Sequence, residues 1–379
     1  MEEARITALA DAMAAKNLLP DDRWHEALYA APRHLFVPAR GWLSGGDGED
    51  HPIDREARPE EWWQAAYADA AIVIQTDDGA GEHTTGEGRH TSSLSAPSAV
   101  FWSLGELLPE DHHRVLEIGT GTGWTAALLS HRVGQENVSS VEVDEALAKQ
   151  AAVNLDAAGF APHLIVGDGG SVTAAGGPFD RVLSTCSVAQ VPHVWLQQCR
   201  PGAVIVTPFQ PWFGWGHLAR LAVLADGTAV GRFPTGANYM MMRSQRYSTS
   251  DASEWMTAGD HDSTTRTKLD PRTIAWAPAE ADLVISALVP GVLGRRTDDA
   301  FWLLDGSGPG GPWALATYEA GNGTFEVRQA GDRRLWEEVE GAYLTWLGCG
   351  QPERSRFGLT VSPEGQTIWL DSPDNPINS

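Results

Sequence analysis

Cysteine is scarce in this chain of 379 residues, and long apolar runs and a basic leader are missing. The three cysteines (Cys186, Cys199 and Cys349) are too few and too scattered for a disulfide framework or a zinc cluster, so a reducing, cytoplasmic location is expected. The N-terminus, MEEARITALADAM, is acidic and lacks the basic-then-apolar order of a secretion signal. No apolar run approaches the length needed to cross a bilayer. The sequence therefore predicts a soluble protein with no metal site and no membrane partner.

Basic residues are also few, because 27 Lys and Arg are set against 50 Asp and Glu, for a formal net charge of -23. Nucleic acids and anionic membranes are bound through basic side chains, so this charge argues against both as partners. An acidic surface suits solubility, or a neutral or basic partner. The length of the chain predicts two domains.

The N-terminal part combines helices with two polar stretches. Apolar residues at helical spacing predict helices over 3–19, 21–31 and 97–108, and the run AIVI predicts a strand within 70–75. The polar, glycine-rich residues 41–60 predict a loop. The segment TDDGAGEHTTGEGRHTSS, residues 76–93, holds no core-forming side chain and predicts a second long loop, either mobile or functional.

From residue 113 to about 207, apolar runs alternate with helical stretches. Their order is RVLEIG, WTAALLSHRV, VSSVEVD, EALAKQAAVNLDAAG, HLIVGD, FDRVLSTCS, VPHVWLQQC and GAVIVTP. Alternating buried strands and helices predict an α/β fold built on a doubly wound, mostly parallel sheet.

After about residue 240 the alternation stops, which predicts a boundary between a domain over 1–240 and an accessory α+β domain over 241–379. Residues 240–273 predict a linker or lid, and three antiparallel strands follow. A helix is expected over 333–347, with Asp332 as its cap, and then a final hairpin. Five tryptophans predict core packing, with a peptide-contacting surface as the alternative: Trp302, Trp313, Trp336, Trp346 and Trp369.

The strongest local signal is the glycine-rich segment VLEIGTGTG at the end of the first parallel strand. Open α/β sheets bind ligands at the carboxyl ends of their strands, and Gly119, Gly121 and Gly123 would let the backbone approach a ligand closely. Alone, this turn fits a dinucleotide pyrophosphate site or merely a tight turn.

Two acidic residues narrow the choice of ligand for this turn. Glu142 ends the second strand, where a carboxylate can accept both hydroxyls of a ribose, and Asp168 ends the third, where it can accept from an adenine amino group. The spacing of the turn also departs from the G-x-G-x-x-G dinucleotide pattern. Together these features predict an S-adenosyl-L-methionine site. The alternative is that Glu142 and Asp168 are helix caps and surface acids.

Seven motifs, in order, resemble the protein-L-isoaspartate O-methyltransferase family over about residues 5–210. APRHLFVP resembles the R-x-x-F-V-P segment of the family, AYAD (66–69) its A-Y-x-D segment, and SLSAP (93–97) its T-I-S-Q-P motif. EIGTGTGW, VEVD and GDGG resemble its three cofactor motifs, and RPGAVIVTP resembles a later strand. The resemblance implies a Rossmann-like S-adenosyl-L-methionine-dependent methyltransferase domain over 1–240, with the 76–93 loop as a substrate insertion.

The resemblance also implies roles for individual residues. The implied cofactor-binding set is Ser93, Leu94, Ser95, Glu117, Gly119, Thr120, Gly121, Gly123, Glu142, Val143, Asp168 and Gly169. Within it, the three glycines would hold the methionine part, Glu142 the ribose, and Asp168 and Gly169 the adenine. The implied catalytic set is Ser93, Ser95 and His90, in which the serines orient the acceptor carboxylate. The alternative for His90 is a solvated loop histidine.

Two departures from the family pattern suggest a narrower reading. The connection after AYAD is longer than the family's short L-P-I-G-x-G-Q segment, and the C-terminal region is absent from simple repair enzymes. Both features resemble a branch found with ribosomally made, modified peptides. This reading predicts methylation of an Asp side chain in a modified precursor peptide, followed by closure to an aspartimide, with 241–379 recognising the peptide.

Three rival functions remain open from the sequence. The first is the same chemistry applied to isoaspartate repair in damaged proteins, which would accept diverse isoaspartyl peptides. The second is nucleic-acid methylation, against which the net charge and the missing N-P-P-Y-type motif both count. The third is a binding module that has lost its chemistry, against which the intact glycine and acid motifs count.

Overall fold

The computed structural model describes residues 2–46, 48–211, 213–247 and 261–377. The chain forms two compact units. Unit 1 comprises Met1–Cys186, Val194–Thr207 and Ala222–Gly227, and unit 2 comprises Ser187–His193, Pro208–Leu221 and Thr228–Ser379. The chain passes between the units several times, so the structure divides it at several points rather than at residue 240 alone. None of the helices in the described ranges has the length and apolarity required to cross a membrane.

The helices of the first 200 residues confirm the three predicted from apolar spacing. They are α1 (Glu2–Ala15), α2 (Asp22–Ala30), α3 (Pro59–Ala66), α4 (Pro97–Leu107), α5 (Trp124–Val133), α6 (Glu145–Ala157) and α7 (His193–Gln197). Local chemistry sets the start of α2, where the Asp21 carboxylate accepts hydrogen bonds from the first backbone N–H groups. Asp144 caps α6 in the same way.

A parallel sheet forms the centre of unit 1, as predicted from the strand–helix alternation. Its strands are β5 (Val115–Ile118), β6 (Val138–Glu142), β7 (His163–Val166), β8 (Phe179–Ser184) and β9 (Cys199–Phe209), in the spatial order β9-β8-β5-β6-β7. All four pairings are parallel. The chain leaves β5 toward β6 and later returns to β8 on its other side. The strand order therefore reverses at β5, which is where such sheets form ligand crevices.

An antiparallel sheet precedes it and corrects the expectation of a loop over 41–60. Its strands are β1 (Arg40–Ser44), β2 (His51–Asp54), β3 (Ala71–Thr76) and β4 (His90–Leu94), in the order β2-β1-β3-β4. The predicted strand at 70–75 is confirmed as β3. The predicted loop over 76–93 is shortened to 77–89, because β4 begins at His90. Strands β1, β2 and β4 each bury a single residue, so they leave no apolar run in the sequence.

Unit 2 is built mainly from antiparallel strands, as the C-terminal sequence predicts. One five-stranded sheet has the order β12-β16-β15-β14-β13, and β18, β17, β11 and β10 are neighbouring hydrogen-bonded strands in that order. The strands are β10 (His217–Val223), β11 (Ala229–Gly236), β12 (Ser263–Thr267), β13 (Val292–Arg296), β14 (Ala300–Asp305), β15 (Trp313–Gly321), β16 (Thr324–Ala330), β17 (Phe357–Ser362) and β18 (Gly365–Leu370). The helices are α8 (Arg272–Ala275), α9 (Ala279–Leu288) and α10 (Leu335–Gly348).

Two further expectations for this region are settled by the structure. The five tryptophans at strand and helix spacing are all buried, which confirms core packing. Asp332 does not cap α10, because Arg334 occupies the N-cap position and makes no side-chain capping bond. The predicted linker or lid over 240–273 contains β12 and part of α8, and its residues 248–260 lie outside the described part of the chain.

Candidate functional site

The glycine turn connects β5 to α5 at the point where the strand order reverses. Gly119, Gly121 and Gly123 all have positive φ angles, of 96°, 55° and 90°. A Cβ on Gly119 would collide with the hydroxyl of Thr185, which hydrogen-bonds the Gly119 carbonyl at 2.5 Å. The turn therefore needs glycine both for its backbone conformation and for its close packing.

Glu142 lies directly against this turn. Its carboxylate accepts hydrogen bonds from the backbone N–H of Gly121 at 2.9 Å and of Asp144 at 3.1 Å. The helix-cap alternative does not hold for Glu142, because it is Asp144 whose carboxylate accepts from the first N–H groups of α6. Val143, between them, is 38% exposed and so presents an apolar side chain at the same edge.

The carboxyl end of β7, the third strand of the parallel sheet in chain order, lies beside those of β5 and β6. The Gly167 N–H donates to the Glu142 carbonyl at 2.9 Å, which places the start of the Asp168 turn beside β6. Gly169 is packed against Ile118 so closely that a Cβ would collide with it, and its carbonyl accepts from the Trp195 indole at 2.7 Å. The Asp168 carboxylate accepts from the Gly170 N–H at 2.9 Å, so it also stabilises its own turn.

Glu117 is fully buried beneath the turn. Its Oε2 accepts a hydrogen bond from the Ser140 hydroxyl at 2.5 Å, whereas its Oε1 has no partner among the described residues. Burial raises the pKa of this carboxyl to about 8; the Ser140 bond opposes the rise and the negative charge of Glu142 adds to it. The carboxyl is thus held mainly in its neutral form, and its Oε1 has no hydrogen-bond partner among the described residues.

The polar groups of Thr120, which is one of the residues expected to bind the cofactor, all bond within the protein. Its hydroxyl bonds the Ser140 hydroxyl at 2.6 Å, its N–H donates to the Val141 carbonyl, and its carbonyl accepts from the Gly123 N–H. All three of its polar groups are therefore engaged within the glycine turn and β6.

Strand β4 brings the S-L-S motif to the glycine turn. The Ser93 carbonyl oxygen lies 3.5 Å from the position that a Cβ on Gly121 would take, and the Ser92 hydroxyl lies 3.9 Å from it. The side chain of Leu94 is 3% exposed, and this residue pairs with the buried Ile72. Its side chain therefore belongs to the core.

His90 lies at the opposite end of β4 from Ser93. Three residues along a strand correspond to roughly 10 Å, so its backbone is well separated from the glycine turn. The nearby charge of His90 helps to lower the pKa of Asp50, although the main cause is the backbone hydrogen bond that Gly45 donates to that carboxylate. The structure thus associates His90 with the β1–β2 loop and does not bring it to the cofactor edge.

Arg33 is a buried residue of the APRHLFVP motif whose role the sequence did not reveal. It is 1% exposed, and burial lowers the pKa of its guanidinium to about 9, which still leaves it charged at neutral pH. Its guanidinium donates to the carbonyl oxygens of Ala65, Ala66, Ala68, Ala70 and Ser95. It therefore ties the AYAD segment to the serine motif, and its place in the motif was the only signal available.

Gln75 is a second residue that the sequence analysis missed. It is 7% exposed, and its Nε2 donates to the Asp144 carboxylate at 3.0 Å, while its Oε1 accepts from the Thr91 hydroxyl at 2.9 Å. These bonds link β3 and β4 to the residue that follows Glu142. No sequence pattern marks Gln75, because it follows an apolar run as an ordinary polar residue would.

Comparison with known proteins agrees with this geometry. The family model for protein-L-isoaspartate (D-aspartate) O-methyltransferase matches residues 51–245. A protein-L-isoaspartate O-methyltransferase of Methanosarcina mazei is 30% identical over 190 residues, covering 50% of this chain and 64% of that protein. One from Bradyrhizobium is 33% identical over 162 residues, covering 42% of this chain and 68% of its own.

A solved structure described as a protein-L-isoaspartate O-methyltransferase has the same fold. It aligns with a TM-score of 0.55 at 18% identity, covering 98% of this chain and 100% of its own. The fold is that of a Rossmann-like methyltransferase. The chain belongs to the protein-L-isoaspartate O-methyltransferase family, and it spans 64% of the length of the Methanosarcina relative.

Proposed function

We propose that this chain is an S-adenosyl-L-methionine-dependent carboxyl methyltransferase that acts on L-isoaspartyl residues of peptides and proteins. The observation that carries the proposal is the meeting of two motifs, because the Ser93 carbonyl lies 3.5 Å from the Cβ position of Gly121. A motif that resembles the family's substrate segment thus adjoins the glycine turn. Membership of the family supports the same function.

The residues around the glycine turn fit the proposed cofactor. The buried Glu117 Oε1, which has no partner in the described part of the chain, is an acceptor suited to the ammonium group of a methionine moiety. Glu142 has lone pairs for ribose hydroxyls beyond its two backbone bonds, and Asp168 with Gly169 would contact the adenine. Bound there, S-adenosyl-L-methionine supplies a methyl group activated by a sulfonium.

The acceptor needs little activation from the protein. A carboxylate with a pKa of about 4 is ionised at neutral pH and is already a nucleophile, so no general base is required. The protein must align the carboxylate oxygen and exclude water, and alignment is worth roughly 7–11 kcal/mol of barrier. Hydroxyl donors such as Ser93 and Ser95 would orient the carboxylate without neutralising its charge. A Lys in contact with the carboxylate would neutralise that charge and stabilise the ground state.

The aspartimide-forming reading is the second candidate, and one observation favours it. The β3–β4 connection over 77–89 is longer than the short family segment that it replaces. The C-terminal region does not favour aspartimide formation over isoaspartate methylation. The structure that matches 98% of this chain is described as a protein-L-isoaspartate O-methyltransferase. The relatives carry the same description, which favours isoaspartate.

The test uses two peptides that differ only in one residue, isoaspartate in one and aspartate in the other. With radiolabelled S-adenosyl-L-methionine, we expect base-labile label on the isoaspartyl peptide and none on its partner. A peptide of unrelated sequence with one isoaspartate is the specificity control and should also be labelled. Refusal of both isoaspartyl peptides, with labelling and imide accumulation on a cyclised aspartyl peptide, would transfer the assignment to the second candidate.

A further inference from the structure

Unit 2 contains a cavity of about 320 Å³ that the proposed methyl transfer does not use. Its lining includes Phe213, Trp215, Asn238, Arg295, Arg296 and Phe301, all of them described residues of unit 2. This volume lies at the lower end of the range typical of small-molecule sites. It suits a ligand of one or two amino-acid residues.

Two adjacent arginines at the end of β13, Arg295 and Arg296, line this cavity. Both residues are exposed, and no carboxylate of the described residues lies within 4 Å of either guanidinium. Arg333, in the same unit, shows the contrast, because it is held by Asp305 at 2.6 Å and Glu338 at 2.5 Å. In a chain with 23 more acidic than basic side chains, two neighbouring arginines without carboxylate partners among the described residues mark a site for an anion.

Aromatic rings hold the guanidinium group of Arg296 in place. The Arg296 guanidinium lies 5.3 Å from the ring centre of Trp215 and 5.9 Å from that of Trp276. Guanidinium groups stack on aromatic faces and keep their N–H donors available at the edge. Arg296 is therefore oriented before any ligand arrives, which reduces the entropy lost on binding.

The apolar part of the cavity lining is held by its own contacts. Phe213 and Phe301 meet edge to face at 6.1 Å, and the Phe213 carbonyl accepts from the Gly294 N–H at 2.9 Å. The backbone of Trp215 is held in turn by the fully buried Asp282, whose carboxylate accepts from its N–H at 3.4 Å. The cavity thus combines a fixed apolar wall with a cationic rim.

We propose that this cavity binds the carboxylate of an acidic residue within a peptide segment, with Arg295 and Arg296 as its ligands. The planar fork of a guanidinium matches the two oxygens of a carboxylate, and the phenylalanine wall suits the aliphatic stem of such a residue. The choice of a peptide over a free acid rests on the proposed function. The anion site itself does not.

The test measures binding directly, without any methyl donor. A capped peptide of alternating Gly and Asp is compared by calorimetry with its Gly and Asn counterpart, using the full chain. We expect the acidic peptide to bind at least about tenfold more tightly, and Arg296→Gln to remove about tenfold of that affinity. Arg328→Gln is the matched control, because Arg328 is an exposed arginine of unit 2 paired with Glu326, and it should change nothing.

Three results would overturn the inference. These are equal binding of the two peptides, unchanged affinity in Arg296→Gln, and displacement of the acidic peptide by inorganic phosphate at equal concentration, which would make the cavity a free-anion site. If Arg296→Gln fails to fold, Arg296→Lys replaces it as the test variant. Lysine keeps the positive charge but lacks the planar guanidinium, so this variant is expected to bind the acidic peptide several-fold more weakly than the wild type. Wild-type protein that binds the acidic peptide but methylates no isoaspartyl peptide would refute the proposed function and leave this site standing.

Discussion

Among the residues of the proposed site, Glu117 allows the most direct experimental test. It is fully buried, one of its oxygens has no partner among the described residues, and burial raises its pKa to about 8 from an ordinary 4.5. Without a bound cation, an ionised carboxylate at this position is costly. The fold therefore keeps a proton on Glu117 that a ligand ammonium group would replace.

This leads to a pH-dependent difference in stability between the wild type and Glu117→Gln. Between about pH 4.5 and pH 8 the folded protein holds a proton that the unfolded chain releases, so this residue makes the free energy of unfolding fall as pH rises. The loss of stability caused by this residue reaches on the order of 5 kcal/mol above pH 8 and is absent below about pH 4. Glutamine cannot ionise, so the variant should be the more stable protein at high pH.

The measurement is urea unfolding of both proteins without cofactor across this pH range. The difference between them should grow with pH and then level off near pH 8. Glu3→Gln, which changes an exposed carboxyl of α1, controls for the loss of one acid from a very acidic chain. Wild-type and Glu117→Gln curves that run parallel throughout would show that Glu117 is ionised in the folded protein.

At the scale of single residues, the sequence located the site only where strand position dictates it. Glu142 and Asp168 follow apolar strands directly, and parallel strands end at a common edge, so their neighbourhood could be predicted. Gln75 and Thr185 could not be found, because their partners Asp144 and Gly119 are distant in sequence and become neighbours only through the fold. Leu94 was assigned to the site by resemblance, but its side chain is in the core.

At the scale of elements, the β3–β4 hairpin is the feature that departs most from the family pattern. Its connection is ordered by its own contacts, since the Asp77 N–H donates to the Arg89 carbonyl and the Asp77 carboxylate accepts from the Arg89 N–H. Gly86 lies so close to the Trp42 ring of β1 that a Cβ would overlap it. The sequence predicted a loop here because none of these contacts requires an apolar side chain from residues 77–89 themselves.

Gly86→Ala should destabilise this hairpin. The residue has a φ of 73°, and a Cβ would overlap the Trp42 ring. Gly45→Ala is the matched control, because Gly45 has a φ of 80° and nothing within 4 Å of its Cβ position. Both changes add backbone strain of about 1 kcal/mol, but only the first adds overpacking, for a further 1–3 kcal/mol or so.

Thermal unfolding and limited proteolysis of the 77–89 connection report on these variants. Faster cleavage is expected in Gly86→Ala alone. The KM for an isoaspartyl peptide should rise in the same variant if the hairpin contacts the substrate. Equal stability losses in the two alanine variants would mean that the Trp42 contact contributes nothing to the hairpin.

At the scale of the whole molecule, the parallel sheet followed from the sequence and the division into units did not. The strands β5 to β9 are apolar runs, and helices separate all of them except β7 and β8, so their pattern is visible locally. Unit 2 instead gathers segments that are distant in the chain, as when β11 pairs with β17 across about 130 residues. Such pairings carry no local signal, because antiparallel strands with one exposed face resemble many other segments.

The net charge of -23 makes a last prediction, about how substrates reach the protein. Its field should accelerate encounter with positively charged peptides and leave neutral ones unaffected, because steering acts on association rather than on the bound complex. For an isoaspartyl peptide flanked by lysines, kcat/KM should fall several-fold as salt rises from about 0.02 M to about 0.5 M, where the Debye length shrinks to about 4 Å. The same peptide with glutamines in place of the lysines is the control and should show no such fall, and kcat should stay constant for both. A salt dependence of equal size for the two peptides would assign the effect to the protein's own folding or cofactor binding and would remove the case for long-range steering.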